Sequence, residues 1–486
     1  MEFPIISFII FLPILFGFLF IGLGNKYSTI VKYISLLISV VIFLITFLLY
    51  FNILTEKLGG SYSFVEGPIH FIPNLAGIDY YVGIDGLSGP MVLLTSIISI
   101  LVILGSWDLV HKSQSTYYGL LLLFIGALIG VFASINLLMF FIFWELVLIP
   151  MFLFIGIWGG SNKKYAAMKF LIYTHVGGMI MLIGIIGLYL FSGLHTLNIN
   201  ELVNNVPIWL QLYVSITMII GFGFKLPMFP FHTWLPDAHV EAPAPISVFL
   251  AALLLKMGAY GFLRINLQLL YEVSLEYAWV YMSLGIVTMF YGAIVALKQA
   301  DLKRMIAMTS ISHMGFVLLG AFSGNSFGIS GAVFQMFSHG LAVGLLFMLT
   351  GYIHENAGTR IISNLKGLKI TMPRTSVLFI CGALAAMGAP IFSNFLSEFM
   401  VIVGAISVDI RYALVMLIPI IVVGYFLWTI KRSIFSETTE TKKRDLTTFS
   451  TIHLLLYLVP LVVTLIAPWI ILDPVLSFIE TYNLVG

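Results

Sequence analysis

Charge is scarce in this chain of 486 residues: Asp, Glu, Lys and Arg together supply 9% of it, against about a quarter in a soluble domain. Cysteine is nearly absent. The single Cys381 excludes a disulfide framework, a thiolate zinc site and an iron–sulfur cluster, all of which need several thiolates; alone in an apolar run it reads as a small buried side chain. There is no G-x-x-x-x-G-K-[ST] phosphate loop and no G-x-G-x-x-G following a strand. Nor is there a paired-histidine pattern of haem ligands, so the sequence shows no redox centre of its own. The formal net charge of +2 is carried by scattered side chains, which gives no basic patch for nucleic acid. The opening MEFPIISFIIFLPILFGFLFIGLG has neither a basic n-region nor a small-residue cleavage site, and is expected to be a retained span.

What the chain has instead is apolar length. Hydrophobic residues make up 60% and mean hydropathy is +1.08, a balance that specifies an all-α integral membrane protein. A span needs about 20 apolar residues. Fourteen runs qualify, at 4–23, 30–53, 86–106, 117–134, 136–158, 166–191, 208–225, 244–269, 277–297, 304–323, 328–352, 375–405, 411–431 and 449–471. Two are interrupted. GFGFKLPMFPFHTWLPDAH at 221–239 breaks at Pro227, Pro230 and Pro236, and the overlong 375–405 run breaks at GAPIFSN, 388–394. Proline removes a donor and clashes with the preceding turn. In a bilayer such backbone is tolerated only where it is buried in protein or lines a wet cavity.

Basic residues set the orientation. Eighteen of the 23 Lys and Arg lie on connections after odd-numbered spans, while Lys57 and Arg411 alone lie on the other side. The basic side is therefore cytoplasmic, with both termini outside. The external 57–83 loop alternates aromatic and polar residues between Gly-Pro breaks, as in a hairpin. Residues 1–486 read as one membrane domain with an internal repeat. FLIYTH at 170–175 resembles FQMFSH at 334–339, PMF at 227–229 resembles PIF at 390–392, and the offsets are 164 and 163. A unit of five spans is odd, so the two copies, 117–269 and 277–431, are expected to be inverted.

Four ionisable side chains in or beside these spans stand out. Glu145 and Lys256 are central in their runs; Lys225 stands at the first break and Glu398 just after the second. An intramembrane charge costs several kcal/mol unless paired or hydrated, and is by default a functional candidate. Their shared chemistry is proton relay, with His313 and His339, in consecutive spans between Lys256 and Glu398, as intermediate stations. His232, Asp237, His239 and Glu241 could suggest zinc, but their prolines and spacing favour the mouth of a water path. Asp301, Lys303 and Arg304 look like an ordinary positive-inside anchor.

FKLPMFPFHTWLPDAHVEAPAPISVFLAALLLKMGAYGFLR at 224–264 resembles the signature of the antiporter-like membrane subunits of respiratory complex I, NADH–quinone oxidoreductase. WELVLIPMFLFIGIWGG at 144–160 and SNFLSEFM at 393–400 extend the likeness over nearly all fourteen spans. The same signature is similar to subunits of multi-subunit cation/proton antiporters and membrane-bound hydrogenases, the alternative identity. Glu398 at the second break, where other types carry lysine, together with the lack of a long lateral helix, points to the M type (mitochondrial subunit 4 type). The resemblance implies outward proton pumping driven by electron transfer from NADH to quinone in partner subunits. It makes Glu145 and Lys225 a gating pair, Lys256 the central relay, His313 and His339 the path, and Glu398 the exit-side site. It implies no cofactor and no metal in this chain; flavin, iron–sulfur clusters and quinone are expected in partners. Those partners are the neighbouring membrane subunits and the peripheral NADH-oxidising arm. The expected location is a prokaryotic plasma (inner) membrane, ahead of an organelle inner membrane.

Overall fold

A computed structural model describes residues 4–24, 27–70, 77, 79–438 and 443–485. Among them, thirteen helices are long and apolar enough to cross a membrane. A fourteenth span is made of two shorter pieces, Pro373–Ala386 and Ser393–Val408. The fourteen expected spans are thus present, and the interruption expected near 388–394 is real: the chain leaves the helix over residues 387–392. The other expected break is equally clear. The seventh span runs Ile208–Lys225, unwinds, and resumes as a short 3-10 turn, Phe231–Thr233, followed by the helix Trp234–Glu241.

Burial sorts the spans. The apolar middles of the eighth (Ala244–Leu267) and eleventh (Ser326–Ala357) are buried within the protein, and those of the fourth (Gln114–Ala133) and tenth (Leu302–Ala321) nearly so. The first, second, thirteenth and fourteenth are mostly exposed apolar surface, as lipid contact requires. Lys256, His313 and His339 therefore lie on spans buried within the protein.

The end of the last span and the place of Lys303 differ from expectation. The last run, expected to reach residue 471, ends its helix at Ile466; Ala467 is non-helical, and a separate helix, Trp469–Thr481, follows Pro468. Proline starts a helix readily because its missing N–H would be unpaired there anyway. The anchor reading of Lys303 fails more sharply. The side chain is buried, and its ammonium donates to the Ala242 carbonyl.

In the 57–83 segment, β1 (Ser63–His70) pairs antiparallel with β2 (Asp79–Ile84), Ser63 opposite Ile84 and His70 opposite Asp79, with two irregularities between. Its tip, residues 71–76 and 78, lies outside the described residues, as do Lys26 and Lys442 among the basic connections. β1 ties down the first span, because Glu66 accepts from the backbone N–H groups of Ile6 and Ser7 at 2.6 and 2.9 Å, donors that a helix N-terminus leaves free.

Candidate functional site: a buried row of ionisable side chains

The eighth span is not a plain α-helix. π-helical segments, Leu250–Leu254 and Phe262–Leu267, flank the α-helical turns Leu255–Gly261; such widenings recur at functional sites. Lys256 lies between them with no exposed surface. Its Nζ folds back to the Ala251 carbonyl at 2.6 Å and reaches His339 Nδ1, also at 2.6 Å. A buried ammonium or amine must find such partners, since no water replaces them.

From His339 the polar contacts continue. Its ring stands edge-on to that of His313, centroids 5.1 Å apart. His313 Nε2 lies 3.5 Å from Glu398 Oε1. Lys256, His339, His313 and Glu398 thus form one row across the eighth, eleventh, tenth and twelfth spans. Sequence reasoning missed Gln335, whose Nε2 sits 3.5 Å from Glu398 Oε1 and whose Oε1 accepts from Ser397 Oγ. Its spacing of four from His339, which places both on one helix face, was the available signal. Several ring nitrogens stay open. His339 Nε2 and His313 Nδ1 are buried without a partner, free to take or pass a proton.

The second break shapes the far end of the row. Gly388 has φ +68°, and a Cβ there would stand 2.9 Å from Glu398 Oε2. Glycine alone meets both demands without strain.

Glu145 and Lys225 lie on the fifth and seventh spans. Glu145 sits in the fifth span (Leu137–Trp158) near a dislocation at Val147, where Pro150 cannot donate to the Leu146 carbonyl. Glu145 Oε2 and His175 Nδ1 share a 2.8 Å hydrogen bond, while Oε1 is buried and unpartnered. Lys225 is 1% exposed and makes no ion pair with Glu145 within 4 Å. Its Nζ is unpartnered and lies 5.2 Å over the Trp144 ring, a cation–π contact. His175, known in the sequence only as the repeat partner of His339, is what Glu145 touches.

The cluster 232–241 disperses. Asp237 pairs with Lys169 at 2.7 Å and Arg304 at 3.3 Å, and Glu241 accepts from the Asn162 N–H at 2.9 Å. His239 stacks on Phe347, centroids 4.2 Å apart, both nitrogens unpartnered. At the end of the same helix opens a cavity of about 440 Å³, whose wall includes Glu241, Lys303, His354, Glu355 and Arg360.

Further along the eighth span, Arg264 and Asp85 form a fully buried ion pair, Nη2 to Oδ1 at 2.7 Å. Arg264 also reaches Tyr260 and Gln268 and lies against the rings of Tyr62 and Phe478. Sequence spacing offered no hint of this pair, whose members are 179 positions apart.

Known proteins resemble this chain over most of its length. Residues 134–424 match the family described as NADH:quinone oxidoreductase/Mrp antiporter, TM. The chain is 39% identical to NADH-quinone oxidoreductase subunit M of Rickettsia prowazekii (strain Madrid E), over 91% of this chain and 90% of that one. It is 38% identical to F(420)H(2) dehydrogenase subunit M of Methanosarcina mazei, over 90% and 89%. Among solved structures, a chain of respiratory complex I from Thermus thermophilus with bound NADH superposes with a TM-score of 0.88 at 28% identity, covering 99% of this chain and 100% of that one.

Proposed function

Because the chain belongs to the NADH:quinone oxidoreductase/Mrp antiporter transmembrane family, we propose that it is the M-type proton-translocating membrane subunit of an NADH–quinone oxidoreductase. Electron transfer from NADH to quinone takes place in partner subunits. This chain supplies a proton path through the membrane arm, beside neighbouring antiporter-like subunits and joined to a peripheral arm. Flavin, iron–sulfur clusters and quinone belong to those partners.

The observation that carries the reading is the row Lys256–His339–His313–Glu398. Each member can hold a proton at a stated atom: Lys256 Nζ, the open nitrogens of His339 and His313, and a carboxyl oxygen of Glu398. The cavity lined by Glu241 and Lys303 is the entrance in this reading, from which Lys256 is loaded on the basic, cytoplasmic side. The proton then passes through the two imidazoles to Glu398 and leaves outward at the second break. Glu145 and Lys225 gate the loading step, because moving a charge near Lys256 changes its hold on a proton. Both termini face outward in a prokaryotic plasma membrane, in keeping with the bias of basic residues. The two broken spans belong to inverted five-span repeats, 117–269 and 277–431. Their matching interruptions and the corresponding positions of His175 and His339 support this.

Reconstituted complex carrying Glu145→Gln, Lys256→Ala or Glu398→Gln tests the path through proton translocation. Undiminished translocation with normal electron transfer in all three would refute it. Purification separates the redox complex from a cation/proton antiporter, the other branch of the family. The first brings down flavin and iron–sulfur proteins, the second only membrane proteins.

A further inference from the structure

Glu145 is held by a side chain other than the lysine assigned to it above. Besides the His175 bond, its Oε1 lies against Gly178, one turn further along the sixth span (Lys163–Phe191). A Cβ built on Gly178 would collide with that oxygen. The same Cβ position is 3.7 Å from Trp144 Nε1, and the Trp144 ring carries Lys225 above it. The carboxylate and the ammonium thus flank one indole and are not paired.

We propose that His175 and Gly178 form a resting site for the Glu145 carboxylate, which alternates between this site and Lys225. The inference rests on the gating role proposed above and adds His175 as a positioning residue that competes with Lys225. His175 supplies one hydrogen bond and Gly178 supplies the room. Glu145 Oε1 and Lys225 Nζ are both buried without a partner, which is costly, so this arrangement leaves each of those atoms waiting for the other. A two-position element of this kind is what a conformational gate requires. The imidazole is half exposed, at the middle of its span, above an apolar recess walled by Ile142, Ile149 and Leu171. Glu145 lines the same recess beside His175.

The test compares assembled, reconstituted complexes carrying His175→Phe, His175→Asn or Gly178→Ala, with Glu145→Gln as reference. Losing a hydrogen bond to a charged group shifts a two-position equilibrium by about tenfold to a hundredfold. His175→Phe should therefore lower proton translocation per complex by about tenfold or more. His175→Asn, whose amide can donate from nearly the same place, should restore most of it. Gly178→Ala should act like His175→Phe and, in a cryo-EM map, show the Glu145 carboxylate turned towards Lys225. It keeps the proposal testable if the aromatic variant does not assemble. The proposal is overturned if Glu145→Gln stops translocation while His175→Phe and Gly178→Ala do not. It is also overturned if His175→Asn is as impaired as His175→Phe, because ring packing would then be the cause. If Glu145→Gln itself translocates normally, the gating reading fails and this inference falls with it.

Discussion

Replacing Arg264 with methionine should destabilise the protein more than any substitution of an exposed charge. Methionine keeps most of the apolar stem but removes the counter-charge that Arg264 gives Asp85. That carboxylate has no exposed surface. Its Oδ1 already accepts from the Leu87 N–H, the Ser88 N–H and the Ser88 hydroxyl at 3.1, 2.9 and 3.0 Å, while Oδ2 has no partner. Three neutral donors orient the carboxylate without cancelling its charge. Breaking a buried pair from one side costs about 3–5 kcal/mol, on the order of a hundred- to several-thousand-fold in the open population. Asp85→Asn together with Arg264→Met removes both charges, so the pair should lose much less than the sum of the single losses. Because unfolding of such an assembly is irreversible, the assay is a rate: inactivation half-life of the detergent-purified complex at a fixed temperature. Arg411→Ala is the reference, since its ion pair with Asp409 lies largely in solvent and is worth little. If Arg264→Met inactivated no faster than Arg411→Ala, or if the double variant were simply additive, the buried-pair account would be wrong.

Three further outcomes follow from the geometry. His339→Phe keeps the ring but removes the nitrogen that Lys256 contacts, and translocation should fall by about 10²- to 10⁴-fold, the worth of one positioned proton carrier, as read by fluorescence quenching in proteoliposomes. Gly388→Ala meets both a left-handed backbone and the Glu398 carboxylate; it should lower translocation while the complex still assembles, and unchanged translocation would deny that the break positions Glu398. Lys303→Met orphans the Ala242 carbonyl at a cost of about 1–3 kcal/mol, visible as faster proteolysis near residues 240–244. A mere surface anchor would show no such change.

The sequence alone determined the class, the span count, both breaks and the identity of the ionisable residues. Each of those is written locally. Hydropathy over about 20 residues reports depth along the membrane normal, proline reports where a helix cannot continue, and a charge in an apolar run announces itself. The row from Lys256 to Glu398 was legible as membership, because its members stood out one by one. What hydropathy cannot report is the direction a residue faces around its helix, or which helix stands opposite. Those follow from packing among spans that are distant in the chain. Only the tertiary structure could set Lys256 against His339, 83 positions away, or Arg264 against Asp85. It likewise turned Lys303 inward from an expected surface turn, ended the last span at Ile466, and gave the Glu145 carboxylate to His175. Depth is a property of one segment; partnership is a property of the packed bundle.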